Sequence, residues 1–169
     1  MKAKLIIEGK EIEVEISEEG YKKLQSPEEK KTGYERVPES DVYFYTYPNG
    51  CVETACEDCY DIDDECYESA NYYSDKTVAE NNTRADKLMR QLRRFAVEHR
   101  ECGVNFNDIN TAKFYIYYDY TNYKLEPASV FSAEVFGTIH FDSKGATQAA
   151  IDEFRDELIW YFTEYKDSL

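Results

Sequence analysis

Two tyrosine-rich runs decide what this chain can fold into. Val42-Tyr43-Phe44-Tyr45-Thr46-Tyr47 and Lys113-Phe114-Tyr115-Ile116-Tyr117-Tyr118 are made almost wholly of aromatic and β-branched residues, which fit a pleated, half-buried surface. Each is followed by turn chemistry, Pro48-Asn49-Gly50 in the first case and Thr121-Asn122 in the second, and then by a return strand, near Val52-Glu53-Thr54 in the first. Beyond an acidic, cysteine-rich stretch, Tyr72-Tyr73-Ser74-Asp75 opens a helical pattern; Gly137-Thr138-Ile139-His140-Phe141-Asp142-Ser143 opens another. Tyr73 and Phe141 stand 68 residues apart, each with Ser or Asp at the helix N-cap and Lys three residues later. The pattern points to an internal β-β-β-α repeat, although strand-to-helix junctions also converge on such caps without common descent.

The first helix, about residues 75–99, carries Val78, Ala79, Ala85, Leu88, Met89, Leu92, Phe95 and Ala96 along one face. The second, about 144–165, carries Ala150, Ile151, Phe154, Leu158, Tyr161, Phe162 and Tyr165. Such stripes serve as sheet-packing faces far more often than as cofactor boxes. The expected fold is therefore α+β, with antiparallel aromatic strands covered on one side by two long helices. Ahead of these units, Ile12, Val14 and Ile16 alternate with Glu11, Glu13 and Glu15 and follow a Glu8-Gly9-Lys10 turn, which reads as a β-hairpin. Ser17 then caps a short helix reaching Leu24. The organisation is a hairpin and short helix over residues 1–33, a first strand-strand-strand-helix unit over 34–100, and a second over 101–169.

Lys plus Arg number 20 against 35 Asp plus Glu, a net charge of -15, which repels nucleic acid and anionic membranes and attracts basic surfaces. Neither direct nucleic-acid binding nor membrane association is expected. No apolar run approaches a membrane span and the N-terminus lacks a signal-peptide pattern, so the expected location is the cytoplasm. In a reducing compartment the five Cys are thiols or metal ligands before they are disulfides.

Cys56 and Cys59 have the spacing with which two thiolates reach one tetrahedral metal, and Cys51 and Cys66 flank them singly. Zinc on Cys51, Cys56, Cys59 and Cys66 is one reading; free thiols on a loop, their pKa values raised by Asp58, Asp61, Asp63, Asp64 and Glu65, is the other, and no cofactor is the primary expectation. His99, near a helix C-terminus, and His140, in an expected strand, belong to no nucleophile motif, and no phosphate-cradling glycine loop is present, so no enzyme activity is expected. The basic concentration Arg84, Lys87, Arg90, Arg93, Arg94 and Arg100 either grips a phosphate-bearing ligand or pairs with the chain's own acidic loop, the second being preferred.

The acidic candidates for partner binding are Glu11, Glu13 and Glu15, which fall on one strand face at a spacing of about 6.8 Å, and the loop bearing Glu57, Asp58, Asp61, Asp63, Asp64 and Glu65. Asp152 with Asp156 and Glu153 with Glu157 add helical pairs. Such spacings are comparable to those of successive phosphates in a nucleic-acid strand.

Lys31-Thr32-Gly33-Tyr34-Glu35-Arg36-Val37, Tyr43-Phe44-Tyr45, Cys66-Tyr67-Glu68-Ser69-Ala70-Asn71-Tyr72-Tyr73-Ser74 and Phe154-Arg155-Asp156-Glu157-Leu158-Ile159-Trp160-Tyr161-Phe162 resemble small uncharacterised proteins encoded by phages and prophages of Gram-positive bacteria. In their usual form Gly stands at the place of Ala70 and these cysteines are missing. The resemblance implies an anti-defence protein, anti-CRISPR-like, acting in the host cytoplasm by occupying the basic nucleic-acid-binding surface of a host nuclease. The alternatives are a small-molecule or nucleotide-binding module, with a pocket between the Tyr-rich strands and the Arg-bearing helix, and a metal-stabilised interaction module.

Overall fold

The computed structural model describes residues 2–7, 10–15, 17 and 31–165, with side chains at Ser17 and from residue 31 onward. Among these residues the fold is α+β: three two-stranded antiparallel sheets and four α-helices. β1 (Lys2–Ile7) pairs with β2 (Lys10–Glu15), with Lys2 opposite Glu15, Lys4 opposite Glu13 and Ile6 opposite Glu11. The side chains of Glu11, Glu13 and Glu15, and the helix expected after Ser17, lie outside what is described.

The second sheet joins β3 (Val42–Thr46) to β4 (Val52–Cys56), with Phe44 opposite Thr54. On the other edge of β3 the expected third strand is reduced to a single bridge, in which Phe44 and Tyr73 exchange both backbone hydrogen bonds at 2.8 and 2.9 Å. The ladder goes no further as backbone because the Asn71 side-chain amide takes the next place: its Oδ1 accepts from Thr46 N at 2.7 Å and its Nδ2 donates to Thr46 O at 3.0 Å. In the third sheet β5 (Lys113–Asp119) pairs with β6 (Lys124–Val130), and Phe114 is bridged to Phe141 in the same way.

Two residues beyond each bridge a helix begins, where the sequence offers a capping side chain. Asp75 accepts from Thr77 N and Val78 N at 2.7 and 3.0 Å, opening α2 (Lys76–Glu98); Ser143 Oγ accepts from Ala146 N at 3.1 Å, opening α3 (Lys144–Glu153). A shorter helix, α1 (Asp61–Glu68), lies between β4 and the first bridge, where a loop was expected. The single expected helix over 144–165 is instead three pieces: α3 gives way at Phe154, with φ -105° and ψ 21°, to α4 (Arg155–Trp160), which ends in a π-helical turn over Tyr161–Tyr165.

α2 spans about 35 Å at 1.5 Å per residue, long enough to serve both aromatic hairpins. Ala79, Thr83, Ala85, Leu88, Leu92 and Phe95 are its buried face. Near its start Thr83 Oγ1 meets Thr46 Oγ1 of β3 at 2.6 Å. Its second half enters the main core, where Leu88, Leu92 and Phe95 cluster with Phe141, Ala150, Ile151 and Leu158. Truncating one of the larger of these side chains to Ala would cost about 2–5 kcal/mol. Arg84 adds a staple to α4, bonded to both Glu157 oxygens at 2.7 and 3.1 Å with its guanidinium 3.9 Å above the Trp160 ring centre. No described helix is long and apolar enough to cross a membrane.

Candidate functional site

The acidic stretch does not present all its carboxylates to solvent. Glu57 and Asp63, expected on the partner-binding loop, are 1% and 3% exposed and are spent on internal hydrogen bonds. Arg36, the only Arg before residue 84, grips Glu57 with two bonds, Nε to Oε2 at 2.9 Å and Nη2 to Oε1 at 2.8 Å, and reaches Asp64 Oδ1 with Nη1 at 2.6 Å. Tyr72 OH also donates to Glu57, at 2.8 Å. Asp63 accepts from Tyr43 OH at 2.8 Å and from the backbone of Asp58 and Tyr60 at 3.2 and 3.0 Å. The two tyrosine rings stack 4.0 Å apart beneath this layer. Arg36 holds the Glu57 carboxyl at about 2, well below its usual range, and burial followed by the Glu57 contact pushes Tyr72 up to about 12.

What this layer anchors is α1, and the anchoring fixes which side of the helix faces out. Asp61, Asp64, Glu65 and Glu68 recur at i, i+3, i+4 and i+7, so they share one face, and all four are exposed. Asp58 is exposed beside them, as are Tyr60 and Ile62 at 67% and 57%. No basic residue lies in the helix, and Arg36 touches the stripe only at Asp64. Hydrophobic periodicity could not reveal α1, because tertiary bonds to Asp63 hold it more than an apolar face does. The available signal was Arg36, the lone Arg before residue 84, upstream of this acidic segment.

The cysteines are not gathered. Among the described residues no three His, Cys, Asp or Glu side chains converge into a group that could hold a metal. Cys51 precedes β4 and Cys56 ends it, Cys56 donating its thiol to Ser40 O at 3.4 Å, and Cys66 rides on α1. Both thiols are exposed, and partial desolvation, reinforced by Asp58 for Cys56 and by Glu39 and Glu57 for Cys59, pushes them up. Zinc ligation by Cys51, Cys56, Cys59 and Cys66 has no geometric support in this arrangement.

Nor does the basic helix neutralise the acidic stretch. Arg84 pairs with Glu157 and Arg94 with Glu98, while the described ion pairs of Glu57 and Asp64 both come from Arg36. His99 caps α2, stacked 3.7 Å from the Phe95 ring.

In the second unit Asp142 Oδ2 accepts from three successive amides, Glu101, Cys102 and Gly103, at 2.6, 2.9 and 3.2 Å. Burial alone would raise this carboxyl, but the three amides outweigh it and hold it below its ordinary value. Lys113, 1% exposed, donates to the carbonyls of Asp108 and Phe131. His140 lies outside any strand, its Nε2 buried without a partner, and burial lowers its pKa.

A cavity of about 420 Å³ opens between α2, β5, the 135–139 segment and the end of α4. Of the two Tyr-rich strands only β5 lines it, and α2 contributes Leu88, Met89 and Leu92 and none of its arginines. Neither a family model, nor a curated protein, nor a solved structure matches this chain.

Proposed function

We propose that the protein is a non-enzymatic, acidic binding protein of the anti-defence kind that its sequence resembles, occupying the basic nucleic-acid-binding surface of a host nuclease. The observation that carries the reading is the exposed stripe Asp61, Asp64, Glu65 and Glu68 on a helix tied down from its other side. A carboxylate array fixed before binding loses little side-chain and backbone freedom on docking, and counterions leave both surfaces when it enters a Lys/Arg-lined groove. Its longer reach comes from the net charge of -15, which steers the chain toward a cationic partner and away from nucleic acid itself.

The test is a pull-down from cells carrying nucleic-acid-guided and restriction nucleases, eluted with a salt gradient, followed by binding measurements on the purified nuclease with and without DNA. The reading expects a nuclease that is released as salt rises, is displaced by DNA, and is lost when Asp61, Glu65 and Glu68 are all changed to Lys. Binding that ignores salt, or that survives the triple reversal in a protein of unchanged melting temperature, would remove this surface from the account.

A further inference from the structure

The cavity beside α2 has no role in a charge-driven complex, and its wall describes an occupant of a different kind. Its volume, about 420 Å³, falls in the range of small-molecule sites and far exceeds the space of a single water. Leu88, Leu92, Phe141 and Leu158, all at most 4% exposed, form its deep side, so it is cut into the main core. None of its fourteen lining residues is charged. The polar side chains in the wall are those of Tyr115, Thr138 and Tyr161.

That composition selects by solvation. A phosphate or carboxylate entering here would leave water with no cation to receive it, in a protein whose net charge of -15 already repels it. An ammonium group would find no carboxylate. A neutral, mainly apolar molecule loses nothing of the kind, and one hydroxyl or carbonyl on it can use the wall's few polar groups.

Two further observations bear on occupancy. Tyr161 and Phe162, both in the wall, belong to the π-helical turn, an irregularity that recurs at functional sites. At the mouth, Phe136 is fully exposed and Val135 is 49% exposed, apolar surface that an occupant would help to cover. We propose that this cavity is a binding site for a neutral, predominantly apolar small molecule with a single hydrogen-bonding group. A nucleotide, with its phosphates, does not fit this description.

Met89 lines the cavity and is one of only two methionines in the chain, the other being Met1, so its methyl signal is a clean internal reporter. The full-length protein, labelled with carbon-13 at the methionine methyls, is titrated with octan-1-ol and, separately, with octanoate, which carries a chain of the same length and a negative charge. Octanol is expected to shift the Met89 methyl saturably and bind at least tenfold more tightly than octanoate. Ile116→Phe, which adds volume at the wall, is expected to weaken octanol at least tenfold. An unmoved Met89 signal, or octanoate binding as tightly as octanol, would overturn the proposal using the wild-type protein alone, whether or not the variant folds. Undiminished octanol binding by a folded Ile116→Phe protein would overturn it as well.

Discussion

Tyr43 and Lys113 stand at the same place in the two aromatic hairpins, one residue before the bridged Phe44 and Phe114, and both are 1% exposed. Tyr72 and His140 likewise precede the bridged Tyr73 and Phe141. In the first unit these positions hold two stacked rings whose hydroxyls reach carboxylates around α1. In the second, where only residues 131–140 separate β6 from the bridge, a lysine is sealed by two carbonyls, a histidine nitrogen is left unpartnered, and the cavity lies nearby. A shared backbone plan thus supports a rigid charged helix on one side and an open apolar pocket on the other. The insert between strand and bridge decides which.

The sharpest way to break this comparison is to empty the equivalent positions in turn. Tyr72→Ala removes a ring that is 1% exposed and stacked on Tyr43, and strips Glu57 of a donor, so a loss of about 3–5 kcal/mol is expected in urea unfolding. His140→Phe replaces a side chain with an orphaned nitrogen by an apolar ring of similar shape, and should stay within about 1 kcal/mol of wild type. Equal losses at the two sites would mean that both are load-sharing core positions and that the contrast is false.

The glycines before each hairpin sharpen it next. Gly33 and Gly103 both have φ near +80°, at 86° and 79°, and both precede their bridged phenylalanine by eleven residues. In the first unit the Gly33 amide is bonded to Glu35, which Ser74 also reaches; in the second the Gly103 amide is bonded to Asp142, which stands where Ser74 stands. A Cβ on Gly33 would lie 2.7 Å from Val78 Cγ2, whereas one on Gly103 meets nothing within 4 Å. Gly103→Ala should therefore cost only the left-handed strain, about 1–2 kcal/mol, and Gly33→Ala about 1–3 kcal/mol more for the overlap with Val78. Similar thermal losses for the two would show that the Val78 contact relaxes at no cost.

Acid acts on carboxylates of both units, Asp142 among them, and strongly on Glu57 of the first. The Glu57 carboxyl is lowered from 4.5 to about 2 in the folded protein, so its contribution is complete above pH 4.5 and disappears as pH falls toward 2. Melting temperature should fall across that window, and Glu57→Gln should make the fall shallower while lowering stability at neutral pH, because Arg36 loses its charged partner. An unchanged slope in Glu57→Gln would place the acid sensitivity elsewhere, with Glu35, also held at about 2 by the Thr32 amide and its other donors, as the next group to replace.

Much of the scaffold was legible because its determinants are local. Tyrosine-rich strands, turn residues, the Asp75 and Ser143 caps and the apolar stripe of α2 each act within a few positions along the chain, and the structure carries all of them. The acidic surface was legible only as charge. Whether Glu57 faces water or Arg36 is settled by a partner 21 residues away, and Asp63 by Tyr43 at a distance of 20. The break at Phe154 and the π-helical turn left no sign, since the apolar pattern runs through both. The cavity has no local cause either: its wall is assembled from α2, β5, α4 and the 135–139 segment, none of which is unusual alone.

The smallest expected effect concerns how α1 ends. Ser69 is its C-cap, Ala70 N donates to Tyr67 O at 3.1 Å and Asn71 N to Cys66 O at 2.9 Å, the paired bonds of a Schellman motif, and Ala70 takes the left-handed conformation this closure demands, with φ 56°. Glycine is the residue this closure ordinarily takes, because it has no Cβ to crowd the backbone at positive φ. Alanine there carries about 1–2 kcal/mol of left-handed strain, of which glycine would return part by its larger entropy when unfolded. Ala70→Gly should therefore stabilise by about 0.5–1 kcal/mol, or a rise in Tm of roughly 1–4 °C for a chain of this size. Because Asn71 continues from this turn to clamp Thr46, the same variant tests whether α1 and β3 are joined as one rigid piece. A loss of stability instead would mean that residue 70 is not left-handed in solution, and the carboxylate stripe of α1 would then lack the fixed spacing that sets the first unit apart from the second.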